Sequence, residues 1–175
     1  MRVIIVLGLM LLTGEAYGNE IDRACVKRFM SPTDQRQCMR YAQSVRHVHM
    51  CVDAFFFDSD SILCLREGRS LKMIRACKRS FFYESDRRRC LVDGIGPRMV
   101  EACYSVFKRN YPSHALGCSM RARNHRAVRL CRDFVDNYKD QYQCTKLARN
   151  TVQIKDCAEA YTEAADRIAC LEKTR

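Results

Sequence analysis

The cysteines of this chain recur at a nearly constant interval, and this spacing limits the possible folds more than any other feature. Ten of the eleven intervals are thirteen residues long, and the one from Cys103 to Cys118 is fifteen. An even number of cysteines without close C-x2-C pairs favours disulfide bonds over metal coordination, so we expect no metal site and no cofactor. The twelve are Cys25, Cys38, Cys51, Cys64, Cys77, Cys90, Cys103, Cys118, Cys131, Cys144, Cys157 and Cys170.

One long helix cannot bring successive cysteines of this series together. Thirteen residues of α-helix rise about 20 Å and rotate about 220° net. The Cα atoms of a disulfide, however, lie within about 7 Å of each other. The chain must therefore reverse between cysteines, which predicts one short helix around each cysteine and a turn between neighbours.

Helix-start residues recur in register with the cysteines and support this interpretation. From Cys38 onward, seven of the eleven residues that lie seven before a cysteine are Ser, Asn or Gly, which favour the N-cap position. They are Ser31, Ser44, Ser70, Gly96, Asn124, Asn137 and Asn150. The three prolines, Pro32, Pro97 and Pro112, each lie six before a cysteine, at the first helical position where a missing N–H is harmless.

Alternate helices differ, so the repeat is twenty-six residues long and contains two helices. The odd helices carry the odd-numbered cysteines, and five of the six place an aliphatic residue, the cysteine and mostly an aromatic residue on one face. Five of the six even helices have Ala or Gly where the odd helices have the aromatic residue. Five even helices also have an aspartate at about the third position, which we interpret as a helix cap rather than a row of cation ligands. These aspartates are Asp34, Asp60, Asp86, Asp140 and Asp166.

The predicted fold is all-α. We expect about twelve short antiparallel helices that form six disulfide-linked hairpins in an α-solenoid-like array. Antiparallel neighbours bring mid-helix cysteines within bridging distance, so we predict bonds between consecutive cysteines. A shifted pairing that starts at 38–51 would leave Cys25 and Cys170 at opposite ends, and a pairing that skips helices is a further alternative.

The N-terminal segment is typical of a secretory signal peptide. Arg2 is followed by an apolar stretch over residues 3–12, and small residues precede Asn19. Ten apolar residues are too few to span a bilayer as a helix. We predict a signal peptide over residues 1–18, one cysteine-rich domain over residues 19–175, secretion, and no transmembrane segment.

The net charge of +11 is concentrated in the middle of the chain. Residues 19–65 contain six Lys and Arg against six Asp and Glu, and residues 133–175 contain seven against eight. Residues 66–132 contain seventeen against five, and fourteen of the seventeen are Arg. Arginine suits two-point contact with sulfate, phosphate or carboxylate groups. We therefore predict an anion-binding band whose candidates are Arg87, Arg88, Arg89, Arg123, Arg126, Arg129 and Arg132.

The longer interval between Cys103 and Cys118 has two interpretations. Two additional residues in a turn between helices are usually tolerated without effect. Alternatively, the longer loop exposes Tyr111 and His114 for contact with a partner.

The function predicted from these features is extracellular and non-catalytic. No catalytic motif is present, and we expect no enzyme activity. The partner expected is a polyanion or acidic extracellular molecule, such as a sulfated glycan, an acidic matrix or an anionic surface, and not nucleic acid. The alternative is a venom or host-defence protein that acts on membranes or channels. No feature of the sequence indicates an oligomeric state.

Overall fold

The computed structural model describes residues 20–68, 70–107 and 111–174, and within them every regular element is an α-helix. The predicted signal peptide lies outside the described residues. The first helix, α1, covers residues 20–28. It is followed by α2 (Pro32–Tyr41), α3 (Val45–Ala54), α4 (Asp58–Glu67), α5 (Leu71–Ser80), α6 (Glu84–Asp93), α7 (Pro97–Phe107), α8 (Pro112–Arg121), α9 (His125–Phe134), α10 (Tyr138–Leu147), α11 (Thr151–Ala160) and α12 (Ala164–Lys173).

The helices start where the capping pattern predicts. The side chains of Ser31, Ser44 and Asn150 each accept a hydrogen bond from a backbone N–H in the first turn of the following helix. Asn124 accepts two such bonds, at 2.9 and 3.3 Å. The three prolines begin α2, α7 and α8. Local sequence signals therefore set the boundaries of most of these helices.

Six disulfide bonds join consecutive cysteines, as predicted. They are Cys25–Cys38, Cys51–Cys64, Cys77–Cys90, Cys103–Cys118, Cys131–Cys144 and Cys157–Cys170. The Cα atoms of each pair are 5.5–5.8 Å apart, which matches two antiparallel helices in contact at mid-height. The described chain is thus a repeat-like array of disulfide-linked helical hairpins.

The chain divides into two compact units, and the boundary falls within α5, between Ile74 and Arg75. In the first unit α4 packs against both α2 and α3. Gly68, which ends α4, has no room for a larger side chain, because a Cβ there would collide with the carbonyl oxygen of Cys64 and lie only 3.1 Å from Cδ1 of Ile74. The small residue at the end of this even helix therefore accommodates both the helix backbone and an aliphatic side chain.

The second unit, from Arg75, has two layers of helices. Within it the odd helix α9 packs against α7 and α11, while the even helix α10 packs against α8 and α12. Each hairpin joins the two layers, because α7, α9 and α11 also contact α8, α10 and α12 respectively. The core of the last two hairpins contains the disulfides together with Phe134, Val135, Ile154 and Leu171.

The predicted apolar stripe of the odd helices is buried, with one exception. Phe29, Phe55, Phe81, Phe107 and Val135, each four residues after a cysteine, are at most 4 % exposed. Tyr161 at the equivalent position of the last hairpin is 41 % exposed. In the second unit α9 is packed on both sides by odd helices, whereas among the described residues no further odd helix follows α11. The exposure of Tyr161 is consistent with that missing neighbour.

Candidate anion-binding surface

The three consecutive arginines of α6 lie in different environments. Arg87 is half-buried, and its guanidinium donates from Nε to the carbonyl oxygen of Phe81 at 2.7 Å and from Nη2 to that of Phe82 at 2.9 Å. Its backbone N–H donates to the carbonyl of Tyr83 at 3.1 Å. Arg87 thus binds three successive carbonyls of the α5–α6 turn, which gives this predicted anion ligand a structural contact inside the protein.

This turn contact recurs at the same position of other hairpins, three residues before the even-numbered cysteine. Gln35 donates to the carbonyl of Phe29 at 2.8 Å, and Gln141 donates to that of Val135 at 3.1 Å. Arg167 donates to the carbonyl of Tyr161 at 2.7 Å. This role was not predicted from the sequence. The signal was present as a long hydrogen-bond donor at one fixed distance from the cysteine.

Arg89 is exposed and lines a groove of about 230 Å³ between the even helices α6, α8 and α10. Asp86, Arg121 and Tyr142 also line this groove. Gly117 forms part of its wall, and the Tyr142 hydroxyl approaches the Cα of Gly117 so closely that a Cβ there would collide with it. The groove therefore offers two guanidinium groups beside one carboxylate and one phenol.

A second groove, of about 400 Å³, continues along the same layer between α8, α10 and α12. It is lined by the cations Arg121, Arg123 and Lys146, together with Gln143 and one acid, Glu172. The Lys146 ammonium lies 4.1 Å from the centre of the Tyr142 ring, a cation–π contact that holds the lysine beside the groove. Arg121 lines both grooves and so connects them.

The arginines of α9 lie on the other layer of the second unit. Arg126, Arg129 and Arg132 are exposed on this odd helix. Arg132 donates from Nε to Oδ1 of Asp133 at 3.0 Å, and this hydrogen bond raises the pKa of the arginine. Arg98 on the adjacent helix α7 is also exposed. Arg98 and Arg126 occupy equivalent positions, each five residues before the cysteine of its helix. The α9 candidates thus belong to a layer separate from the two grooves.

The seven predicted arginines are accordingly divided among three locations. Arg87 contacts the α5–α6 turn, and the exposed Arg88 lies beside it on α6. Arg89 and Arg123 line the two grooves, and the remaining three lie on α9. The grooves also contain Arg121 and Lys146, which were not predicted from the sequence because neither belongs to a run of arginines.

The longer fourth hairpin contains an aromatic cluster. The His114 ring lies 4.7 Å from that of Tyr142 and 5.5 Å from that of Tyr138, edge to face in both pairs. Tyr111 stacks on Tyr138 with 3.9 Å between ring centres, and Phe107 lies 6.0 Å from His114. Tyr111 and His114 are half-buried in this cluster, rather than exposed on a projecting loop as one interpretation of the sequence required.

His47 is a buried histidine on α3. It is 1 % exposed, its Nδ1 accepts from the backbone N–H of Gln43 at 3.3 Å, and burial lowers its pKa. Its Nε2 has no hydrogen-bond partner among the described residues. In the part of the chain that the structure describes, no three His, Cys, Asp or Glu side chains are grouped as metal ligands.

Comparisons with protein-family models, curated proteins and solved structures gave no match. Within residues 20–68, 70–107 and 111–174, no helix has the length and apolar character that crossing a membrane requires. The class of this protein is therefore defined by its own features, an all-helical repeat with six disulfides that link successive pairs of helices.

Proposed function

We propose that this chain is a secreted, non-catalytic binding protein that contacts an anionic extracellular partner through the two grooves of its even-helix layer. The observation that carries the proposal is the arrangement of Arg89, Arg121, Arg123 and Lys146 around two connected concavities. Binding sites are usually concave, whereas an isolated run of surface arginines is most often only a solvated face. Six disulfides support an oxidising compartment outside the cell.

A sulfated polysaccharide fits these grooves better than a compact anion. Neighbouring helix axes are about 8–10 Å apart, so the cations of successive even helices recur at a similar distance. One small ion can contact only part of such a row. A linear polyanion can contact all four cations in turn, and the packed helices need little reordering when it binds.

The experiment compares two triple variants that remove the same charge. In the groove variant Arg121, Arg123 and Lys146 are replaced by serine. In the control variant Arg98, Arg126 and Arg129, exposed on α7 and α9, are replaced by serine. Affinity for heparin is measured by calorimetry over a range of salt concentrations, after circular dichroism has shown that each variant is folded.

We expect the groove variant to bind more weakly than the control variant. The slope of log affinity against log salt should fall by roughly two to three, since each released contact contributes roughly 0.7–0.9. Equal weakening of both variants would mean that only total charge matters. Greater weakening of the control variant would assign the site to the α7–α9 face, and an unmodified protein that does not bind heparin would refute the proposal entirely.

A further inference from the structure

We propose that the α5–α6 turn is a docking site for a lipid bilayer with anionic headgroups, a surface that differs from the polyanion grooves although it shares Arg89 with one of them. At this turn the Phe82 and Tyr83 side chains are 82 % and 63 % exposed, and their rings pack edge to face with 5.5 Å between centres. Large aromatic groups exposed to this degree are unfavourable in water, because their apolar surface is not removed from the solvent. Stability of the fold alone therefore does not account for their position.

Arg87 holds these two rings outward. Its guanidinium and its backbone N–H together bind the carbonyls of residues 81–83, while Phe81 is buried at 1 % exposure. One aromatic residue therefore anchors the turn in the core, and the next two project from a backbone that is already ordered. Little conformational entropy is lost when such a rigid tip enters another phase.

The charges around the tip indicate a negatively charged surface. Lys78 and Arg79 are exposed in the last turn of α5, and Arg88 and Arg89 are exposed on α6. Over residues 78–89 five cations stand against two acids, a net charge of +3. Cations close to an anionic leaflet strengthen binding to it, and aromatic rings favour the interfacial region. A convex tip also fits a deformable bilayer, whereas a protein partner would need a matching cavity.

The turn of the second hairpin also exposes two aromatic rings and can be compared with the α5–α6 turn. Its turn between α3 and α4 exposes Phe56 and Phe57 by 85 % and 59 %, with rings edge to face at 5.4 Å. The equivalent window, residues 52–63, contains three aspartates and no Lys or Arg, a net charge of −3. The two turns thus present a similar pair of rings with opposite charge. In the second unit the equivalent turn positions 136–137 and 162–163 are polar.

The test uses the chain's lack of tryptophan. Phe82→Trp and Phe56→Trp each introduce a single fluorescent reporter at one turn. The proteins are mixed with vesicles of phosphatidylcholine alone or with phosphatidylserine added. We expect the emission of the Phe82→Trp variant to shift to shorter wavelength, and to be quenched by brominated lipid, only with phosphatidylserine vesicles. The Phe56→Trp variant should show neither change. A response from both variants, or from neither, would overturn the proposal.

Binding is then measured by vesicle flotation. The double variant Phe82→Ser/Tyr83→Ser should partition into phosphatidylserine vesicles at least about tenfold less than the unmodified protein, equal to about 1.4 kcal/mol. The matched variant Phe56→Ser/Phe57→Ser should partition as the unmodified protein does. Unchanged flotation of the first variant would show that the contact is purely electrostatic and would contradict the proposal. Heparin affinity should be the same in both variants, which separates this result from that of the grooves.

Discussion

Arg167 donates from Nη1 to the carbonyl oxygen of Phe134 at 2.7 Å, across thirty-three residues of sequence. Its Nε donates to the carbonyl of Tyr161 at 2.7 Å, so one guanidinium joins the last hairpin to the one before it. The guanidinium carbon also lies 5.6 Å from the centre of the Phe134 ring. The fixed distance of Arg167 from its cysteine signals the contact to Tyr161, but no sequence signal indicates the contact to Phe134 that connects two repeats.

Replacement of this arginine should destabilise the protein. Arg167→Ala removes two charge-assisted hydrogen bonds, and bonds to charged groups each contribute about 1.5–3 kcal/mol at most. We expect a total loss of about 1.5–3 kcal/mol in the free energy of unfolding. The measurement is urea denaturation followed by circular dichroism. Lys155→Ala, at an exposed position on α11, is the control and should change stability by less than about 0.5 kcal/mol. Equal effects would show that the contact to Phe134 does not stabilise the fold.

Replacement of Arg87 should lower stability, whereas replacement of Arg89, two residues further on, should weaken anion binding. Arg87→Ala removes the guanidinium bonds to Phe81 and Phe82, so we expect a lower unfolding midpoint in urea. Arg89→Ala removes an exposed cation that lines a groove, so we expect unchanged stability and weaker heparin binding. The two variants have the same net charge. If both lost heparin affinity without loss of stability, Arg87 would belong to the anion site after all.

Reduction of the disulfides should unfold the protein. The helices are about ten residues long, and helices of that length are marginal on their own in water. A disulfide bond that closes a loop of about fifteen residues stabilises a fold by about 3 kcal/mol, and the loops closed here are of similar size. We expect the reduced and alkylated chain to lose most of its helical circular dichroism and its cooperative melt. Retention of both would show that apolar packing alone supports the array.

Stability should depend on pH through His47. Burial lowers the pKa of His47 in the folded protein below its ordinary value of 6.5. Between the lowered pKa and pH 6.5 the unfolded chain therefore binds more protons than the folded protein does. This contribution to stability is complete above pH 6.5 and is lost as the pH falls below it. The slope of unfolding free energy against pH can reach about 1.4 kcal/mol per pH unit for one proton.

The His47→Met variant tests this dependence. Met73 and Met99 occupy the equivalent buried position, four residues before the cysteine, so methionine suits the site. We expect the variant to lose part of the slope between about pH 5 and pH 7, measured by urea denaturation at each pH. A slope unaffected by His47→Met would assign the pH dependence to other groups.

The helical hairpins and their disulfide pairing could be predicted because their signals are local. A cap residue such as Ser44 or Asn124, a proline such as Pro97 and the interval of thirteen residues each act within one hairpin. The predicted stripe of apolar residues was confirmed as well, since three positions on one helical face are buried together. The sequence thus determined most of the helix boundaries, the reversals of the chain and the pairing of the cysteines.

Only the tertiary structure decided which cations share a surface. Successive residues of a helix differ by about 100° in direction, so Arg87 and Arg89 diverge although a single residue separates them in sequence. Arg87 reaches the carbonyl of Phe81, while Arg89 lines a groove together with Arg121, thirty-two residues further along the chain. Lys146 completes that surface from α10 and belongs to no cluster in the sequence. Runs of like charge report neighbours along the chain, whereas a binding surface depends on how helices from different hairpins pack within a layer.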